Sequence, residues 1–147
     1  MNYKKINKKQ RAFTLFELLV SISIIAIMTA IATVSFSGAQ KKARDSRRVT
    51  DMNSVQKAAE QYYAFSNYVY PATGVGGTAW IATNGQTVLE VFPNDPKTGT
   101  LTPYIYTGGA TYCACATLEN NTGNSTNSTC TGFVNGTGSY YCVKNQQ

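Results

Sequence analysis

The chain has 147 residues, with 13 Lys+Arg, 7 Asp+Glu, four cysteines and no histidine, which bounds it at one globular domain plus an appendage. Without histidine, Ser-His-Asp hydrolysis, Cys-His proteolysis and every His-ligated metal site are excluded, because no other unperturbed side chain shuttles protons near neutral pH. The formal net charge of +6 would suit a nucleic-acid or membrane partner. Five of the cations, however (Lys4, Lys5, Lys8, Lys9, Arg11), lie before residue 13 with no acid among them. From Tyr62 onward two cations (Lys97, Lys144) meet three anions (Glu90, Asp95, Glu119). The basic character therefore belongs to a leader, and a nucleic-acid partner is not supported for the distal part.

Residues 13–36, FTLFELLVSISIIAIMTAIATVSF, hold one charge, Glu17, and residues 18–40 hold none. As a helix this stretch is roughly 36 Å long, enough to cross a bilayer. The Lys/Arg-rich segment before it keeps residues 1–11 in the cytoplasm and sends the remainder across, by the positive-inside rule. An ordinary secretory signal is the rival, with A-x-A-like sites ending at Ala32 and Ala39, but the apolar core is too long and carries an acid. The charged block that follows has no Pro before residue 71, and Val49, Met52, Val55, Ala59 and Tyr62 repeat at the spacing of one helical face. The spacing predicts one unbroken helix over about residues 14–65, apolar all round in its first half and one-sided in its second.

After Phe65 the composition shifts to Gly, Asn, Thr and Tyr. Asn84-Gly85 and Gly108-Gly109 mark turns. Residues 104–107 and 111–117 flank the second turn as a hairpin, with 139–144 as a third strand. The fold class is α+β: a long N-terminal helix packed by a small antiparallel sheet. Residues 119–138, rich in Asn, Thr, Ser and Gly, have almost nothing to bury and are expected to form an exposed loop. Nine of the ten tyrosines lie after residue 61 with Trp80, and most are expected in the core and in subunit contacts.

The junction KKINKKQRA–FTLFELLV ends the basic leader at a small residue, Ala12, ahead of an apolar run whose fifth residue is acidic. Over these residues the chain resembles the type IV pilin and type II secretion pseudopilin family. That family's processing site is a small residue, usually Gly, followed by Phe, Thr, Leu, an aliphatic residue and Glu; here stand Ala12, Phe13, Thr14, Leu15, Phe16 and Glu17. The resemblance implies that a prepilin peptidase cuts between Ala12 and Phe13 and N-methylates Phe13. It also implies a non-enzymatic subunit that sits in the membrane before assembly, meets an inner-membrane assembly platform, and polymerises with itself into a helical extracellular pilus. A pseudopilin of a secretion or DNA-uptake machine and a monomeric membrane-anchored binding domain are the alternatives. The chain then divides into a leader (1–12), a transmembrane and polymerisation half-helix (13–40), an amphipathic half-helix (41–65) and a β domain (66–147).

An acid at bilayer depth costs several kcal/mol unless paired, and is functional by default. After cleavage the Phe13 ammonium stands one helical turn from Glu17, so the two form a charge pair within a subunit or between neighbours. The chain departs from the family in having Ala12 for Gly and Phe16 for an aliphatic residue. Many members also carry a Pro in the second half of the apolar helix, where this chain has Val34 and only Gly38 as a weak point.

Lys41, Lys42, Arg44, Arg47 and Arg48 follow the apolar run and suit lipid headgroups or neighbouring acids such as Asp45 and Asp51 better than DNA. Asn94, Asp95 and Glu119 are too few and too scattered in sequence to make a calcium cage, so neither metal nor cofactor is expected. Cys113, Cys115, Cys130 and Cys142 favour two disulfides in an extracytoplasmic region. Cys113 and Cys115 share one strand face, so each reaches Cys130 or Cys142, in either order. A C-x-C zinc ligand pair is the competing reading. Four N-x-[ST] sequons, at Asn120, Asn124, Asn127 and Asn135, are candidate glycosylation positions, although chance in an Asn/Thr-rich stretch explains them better.

Overall fold

The computed structural model describes residues 13–97 and 104–147. The leader, with Ala12, and the side chains of Val34 and Ser35 lie outside the described residues. One helix, α1 (Leu15–Phe65), is followed by β1 (Trp80–Ile81), β2 (Thr87–Leu89), β3 (Ile105–Thr107), β4 (Cys113–Thr117), β5 (Gly123–Ser125), β6 (Phe133–Gly138) and β7 (Tyr140–Lys144). The helix is continuous through Gly38, and the chain divides into two compact units, Met1–Gly38 and Ala39–Gln147.

In the first unit the described residues are helical from Leu15, and the large apolar side chains are exposed, Ile22, Ile25, Ile31 and Phe36 among them by more than half. The hydroxyls of Ser21, Ser23, Thr29 and Thr33 donate to the helix's own carbonyls at Glu17, Leu19, Ile25 and Ala30, at 2.7–2.9 Å. These polar groups are therefore satisfied within the helix, and the helix offers hydrocarbon to its surroundings.

In the second unit, residues 39–65 of α1 place Asp45, Arg48, Met52, Val55 and Ala59 on one buried stripe, at alternating three- and four-residue spacing. Three of these positions, Met52, Val55 and Ala59, belong to the helical face read in the sequence, whose Val49 and Tyr62 are half-buried, and the stripe extends further toward the N-terminus into the charged Arg48 and Asp45. Met52 and Val55 pack with Tyr70, Phe92, Tyr112 and the small side chains Ala114 and Ala116. Strands β3-β4-β7-β5-β6 form one antiparallel sheet in that order. β4 lies between β3 and β7 and is buried on both faces because its sequence CACAT alternates: the alanines join the core that contains the helix, and Cys113 and Cys115 cluster with Cys142. Rings of Tyr63, Tyr70, Tyr112, Tyr106 and Trp80 follow one another at centroid spacings of 4.5–6.0 Å.

Both turns marked in the sequence are present. Asn84-Gly85 closes the short β1-β2 hairpin, with Gly85 at φ 85°. Gly108 is required for a further reason: a Cβ there would collide with the Pro71 carbonyl. The Gly109 carbonyl accepts from the Tyr70 N–H at 2.9 Å, so the chain leaving α1 is fastened to the β3-β4 turn.

The expectation of an exposed loop over 119–138 is corrected. β5 and β6 lie within it and complete the five-stranded sheet. The reason is backbone burial rather than hydrophobic burial. Asn124 acts as a piece of backbone, accepting from the Cys142 N–H at 2.7 Å and donating to its carbonyl at 2.8 Å. Ser125 is fully buried and bonds the Asn127 carbonyl at 2.7 Å. Gly123 and Gly138 face each other where a Cβ would strike the carbonyls of Tyr140 or Ser125. Small polar residues are what this crossing of three strands accommodates. A short tag inserted after Asn124 is accordingly expected to abolish the folded second unit, whereas the same tag between Asn84 and Gly85 leaves it intact; near-UV circular dichroism of the tyrosines reads both.

Candidate assembly site and its ion-pair support

At the head of α1, the Thr14 N–H and hydroxyl both donate to Glu17 Oε2 at 2.9 Å, while the Glu17 N–H donates to Thr14 Oγ1 at 3.2 Å. This reciprocal pair is a capping box, and it satisfies donors that the first helical turn leaves without partners. The sequence reading assigned Glu17 to the Phe13 ammonium and missed Thr14, although T-x-x-E ahead of an apolar run is the visible signal. In the uncut chain residue 13 carries a peptide nitrogen, and Phe13 itself is 88% exposed. The carboxylate is thus held at the entrance of the apolar helix by its own neighbours.

The second feature is an ionic cluster in the second unit. Arg48, 2% exposed, donates Nε and NH2 to Asp95 at 2.7 and 2.8 Å, and NH1 to Asp45 and Glu119 at 2.7 and 2.9 Å. Arg44 grips Glu119 through two bonds of 2.7 and 2.8 Å. Asp45 also accepts from the N–H groups of Glu119 and Asn120. One guanidinium therefore ties the helix to the segment after β2 and the segment after β4, with the planar bidentate geometry that arginine provides.

Of the two contacts read for the cations after the apolar run, the neighbouring acid Asp45 is the one that Arg48 makes. Arg44 and Arg48 are engaged inside the second unit, while Lys41, Lys42 and Arg47 remain exposed. Asp51 accepts from the Tyr104 hydroxyl at 2.7 Å. Asp95 and Glu119, scattered in sequence, meet on Arg48, with Asn94 exposed beside them. Long-range convergence of this kind has no local sequence signal.

The hydrogen bond from Arg44, joined by that from Arg48, holds the Glu119 carboxyl down at about 2, against the opposing effect of burial. A depressed folded pKa gives stability that is present above the ordinary value of 4.5 and disappears as pH falls toward 2. Thermal stability of the native chain is expected to fall through that window, and Glu119→Gln is expected to flatten part of the slope while lowering stability at neutral pH.

Cys113 is bonded to Cys130 and Cys115 to Cys142, with Cα separations of 5.8 and 4.1 Å. Three of the four sequon asparagines use their side-chain amide internally: Asn120 on Asp45, Asn124 on Cys142 and Asn127 on Thr131. Asn135 is exposed on β6.

Among the described residues, a capped apolar helix bearing an acid at its entrance is followed by a disulfide-linked antiparallel sheet. The family described as "Prokaryotic N-terminal methylation motif" matches residues 7–33. The chain is 34% identical over 68 residues to the type II secretion system core protein G of Escherichia coli (strain K12), covering 46% of each chain. It is 33% identical over 69 residues to the core protein G of Vibrio cholerae, covering 47% of each. It is 30% identical over 64 residues to the type IV major pilin protein PilA of Myxococcus xanthus, covering 44% of this chain and 29% of that one. The chain thus spans about half the length of the secretion proteins it matches. No solved structure matches it. The motif, these relatives and the helix-then-sheet fold support the pilin and pseudopilin family.

Proposed function

We propose that the chain is a structural, non-enzymatic subunit of an extracellular type IV pilus filament. It is made as a membrane precursor, cut before Phe13 by a prepilin peptidase, and assembled with copies of itself on an inner-membrane platform. The observation that carries this reading is the methylation motif, matched over residues 7–33, running into a helix whose large apolar side chains are exposed among the described residues. Cutting at that position makes the subunit begin with N-methylated Phe13, and mass spectrometry of the native subunit's N-terminal peptide tests it. A start at Thr33 or Gln40, or a retained leader, overturns it.

Glu17→Gln separates charge from capping, because Gln serves equally well in a capping box. The variant is expected to keep its helix and its membrane insertion but to lose filament yield, having no charge to meet the Phe13 ammonium. Normal yield by electron microscopy would show the carboxylate to be dispensable. The similarity to secretion core protein G favours a second reading, a pseudopilin forming a short piston; long filaments on the producing cell separate the two.

A further inference from the structure

Five cations follow the uncharged run of α1, Lys41, Lys42, Arg44, Arg47 and Arg48, and the fold sorts them into two sets. Arg44 and Arg48 turn onto Asp45, Asp95 and Glu119. Lys41, Lys42 and Arg47 are exposed, and none of the three forms an ion pair among the described residues. Most of the remaining acids are engaged elsewhere: Asp51 by the Tyr104 hydroxyl, Glu60 by the Tyr70 hydroxyl and the Gln146 N–H, and Glu17 by Thr14. In the second unit Glu90 is the one exposed acid among the described residues. The second unit of another copy of the chain therefore offers too little negative charge to neutralise the three cations.

These cations do not share a face. At about 100° per residue, Lys42 and Arg47 stand about 100° and 240° around the helix axis from Lys41, so the three encircle α1 within a rise of about 9 Å. A protein partner docks on one side of a helix, whereas a bilayer surface surrounds it. Lys41 is also the first charge after residues 18–40, where a span of this length meets the headgroup layer. Cα–Cβ bonds lean toward the N-terminus of a helix, here toward the apolar run. Lysine and arginine stems can then lie along hydrocarbon while their charged ends reach the depth of the phosphates.

We propose that Lys41, Lys42 and Arg47 form a collar that binds the phosphates of anionic phospholipids where α1 leaves the bilayer, an inference that rests on the membrane-precursor reading above. The ligand is a lipid phosphodiester whose headgroup carries no amine, as in phosphatidylglycerol. A zwitterionic headgroup presents the same phosphate beside a cation of its own and competes poorly. With Arg44 and Arg48 tied inward, the three exposed residues alone set the charge of the collar.

The test uses the full chain with the leader cations Lys4, Lys5, Lys8, Lys9 and Arg11 exchanged for Gln, so that the leader binds no headgroups. It is reconstituted in phosphatidylcholine vesicles containing either spin-labelled phosphatidylglycerol or spin-labelled phosphatidylcholine, and the immobilised fraction of each probe is read by electron paramagnetic resonance. A preference of at least about fivefold for phosphatidylglycerol is expected at low salt, the effect of a single surface cation, falling toward one in about 1 M salt, which screens charge beyond about 3 Å. Lys41→Gln, Lys42→Gln and Arg47→Gln together are expected to abolish the preference with unchanged far-UV circular dichroism. Lys57→Gln, exposed on the same helix about 15 Å beyond Arg47, is expected to leave it unchanged. A preference that survives the triple exchange or high salt, or an equal loss with Lys57→Gln, would overturn the proposal. Displacement by inorganic phosphate beyond that by chloride of equal ionic strength would also overturn it, since the site would then take free phosphate. Equal immobilisation of the two probes would defeat the collar while leaving the membrane reading standing, and immobilisation of neither would defeat both.

Discussion

Arg48→Ala is expected to destabilise the second unit by about 3–5 kcal/mol, the cost of removing one partner from a buried ionic network. Asp45, Asp95 and Glu119 converge on this one guanidinium, and their side chains are only 8%, 15% and 13% exposed. Deleting the cation leaves three carboxylates desolvated and mutually repelling. Loss of the side chain's packing alone would cost far less. Arg48→Lys keeps the charge but cannot reach Asp95 with two parallel bonds while also holding Asp45 and Glu119, so it is expected to recover only part of the loss. A triple exchange of Arg48, Asp95 and Glu119 for apolar residues of similar volume is expected to be milder than Arg48→Ala itself. Chemical denaturation of the three variants orders them; an Arg48→Ala chain as stable as the parent would mean the network contributes geometry without energy.

The second large effect concerns the bond between Cys115 and Cys142. Its sequence separation of 27 corresponds to about 3–4 kcal/mol on the loop-entropy estimate. The bond also joins directly opposed residues of β4 and β7, the two strands on which the rest of the sheet is built. Replacing both residues with alanine is expected to lower stability by about that amount. Replacing Cys113 and Cys130, separated by 17 residues, is expected to cost slightly less and to loosen chiefly the connection between β5 and β6. Stabilities measured on both double variants, with the remaining disulfide intact, decide the order. The reverse order would mean that anchoring the β5-β6 connection matters more than fixing the centre of the sheet.

What could be read from residue order follows from how far each signal reaches. The helix, its apolar half and its buried face were legible because periodicity is local: Met52, Val55 and Ala59 recur at fixed spacing wherever the chain folds. The two turns, the β3-β4 hairpin and the presence of β7 were legible from Gly-containing dipeptides flanked by β-branched and aromatic residues, whereas the pairing of β7 with β4 was not. β5 and β6 were not, because hydrophobicity is the usual mark of a strand, and here Asn124, Ser125 and Gly138 are held by backbone hydrogen bonds and close approach. At the candidate site, Glu17 was legible as an acid out of place in hydrocarbon, and its partner Thr14 was available in the same pattern. The meeting of Asp95 and Glu119 on Arg48 depended on contacts 47 and 71 residues apart, which no spacing rule encodes.

The hydroxyls of Ser21, Ser23, Thr29 and Thr33 have a consequence for how reversible an apolar helix of this kind can be. Each is already bonded to a carbonyl of its own helix. For these four hydroxyls, moving the segment from acyl chains to a bed of neighbouring helices therefore breaks no hydrogen bond and demands no new one. Lipid tails are about as apolar as leucine side chains, so between those two surroundings only the closeness of packing differs. A transfer governed by so small a difference proceeds in either direction under a modest outside force. On the proposed reading, the same subunit can be drawn out of the bilayer and returned to it intact, many times over, without any part of its fold being remade.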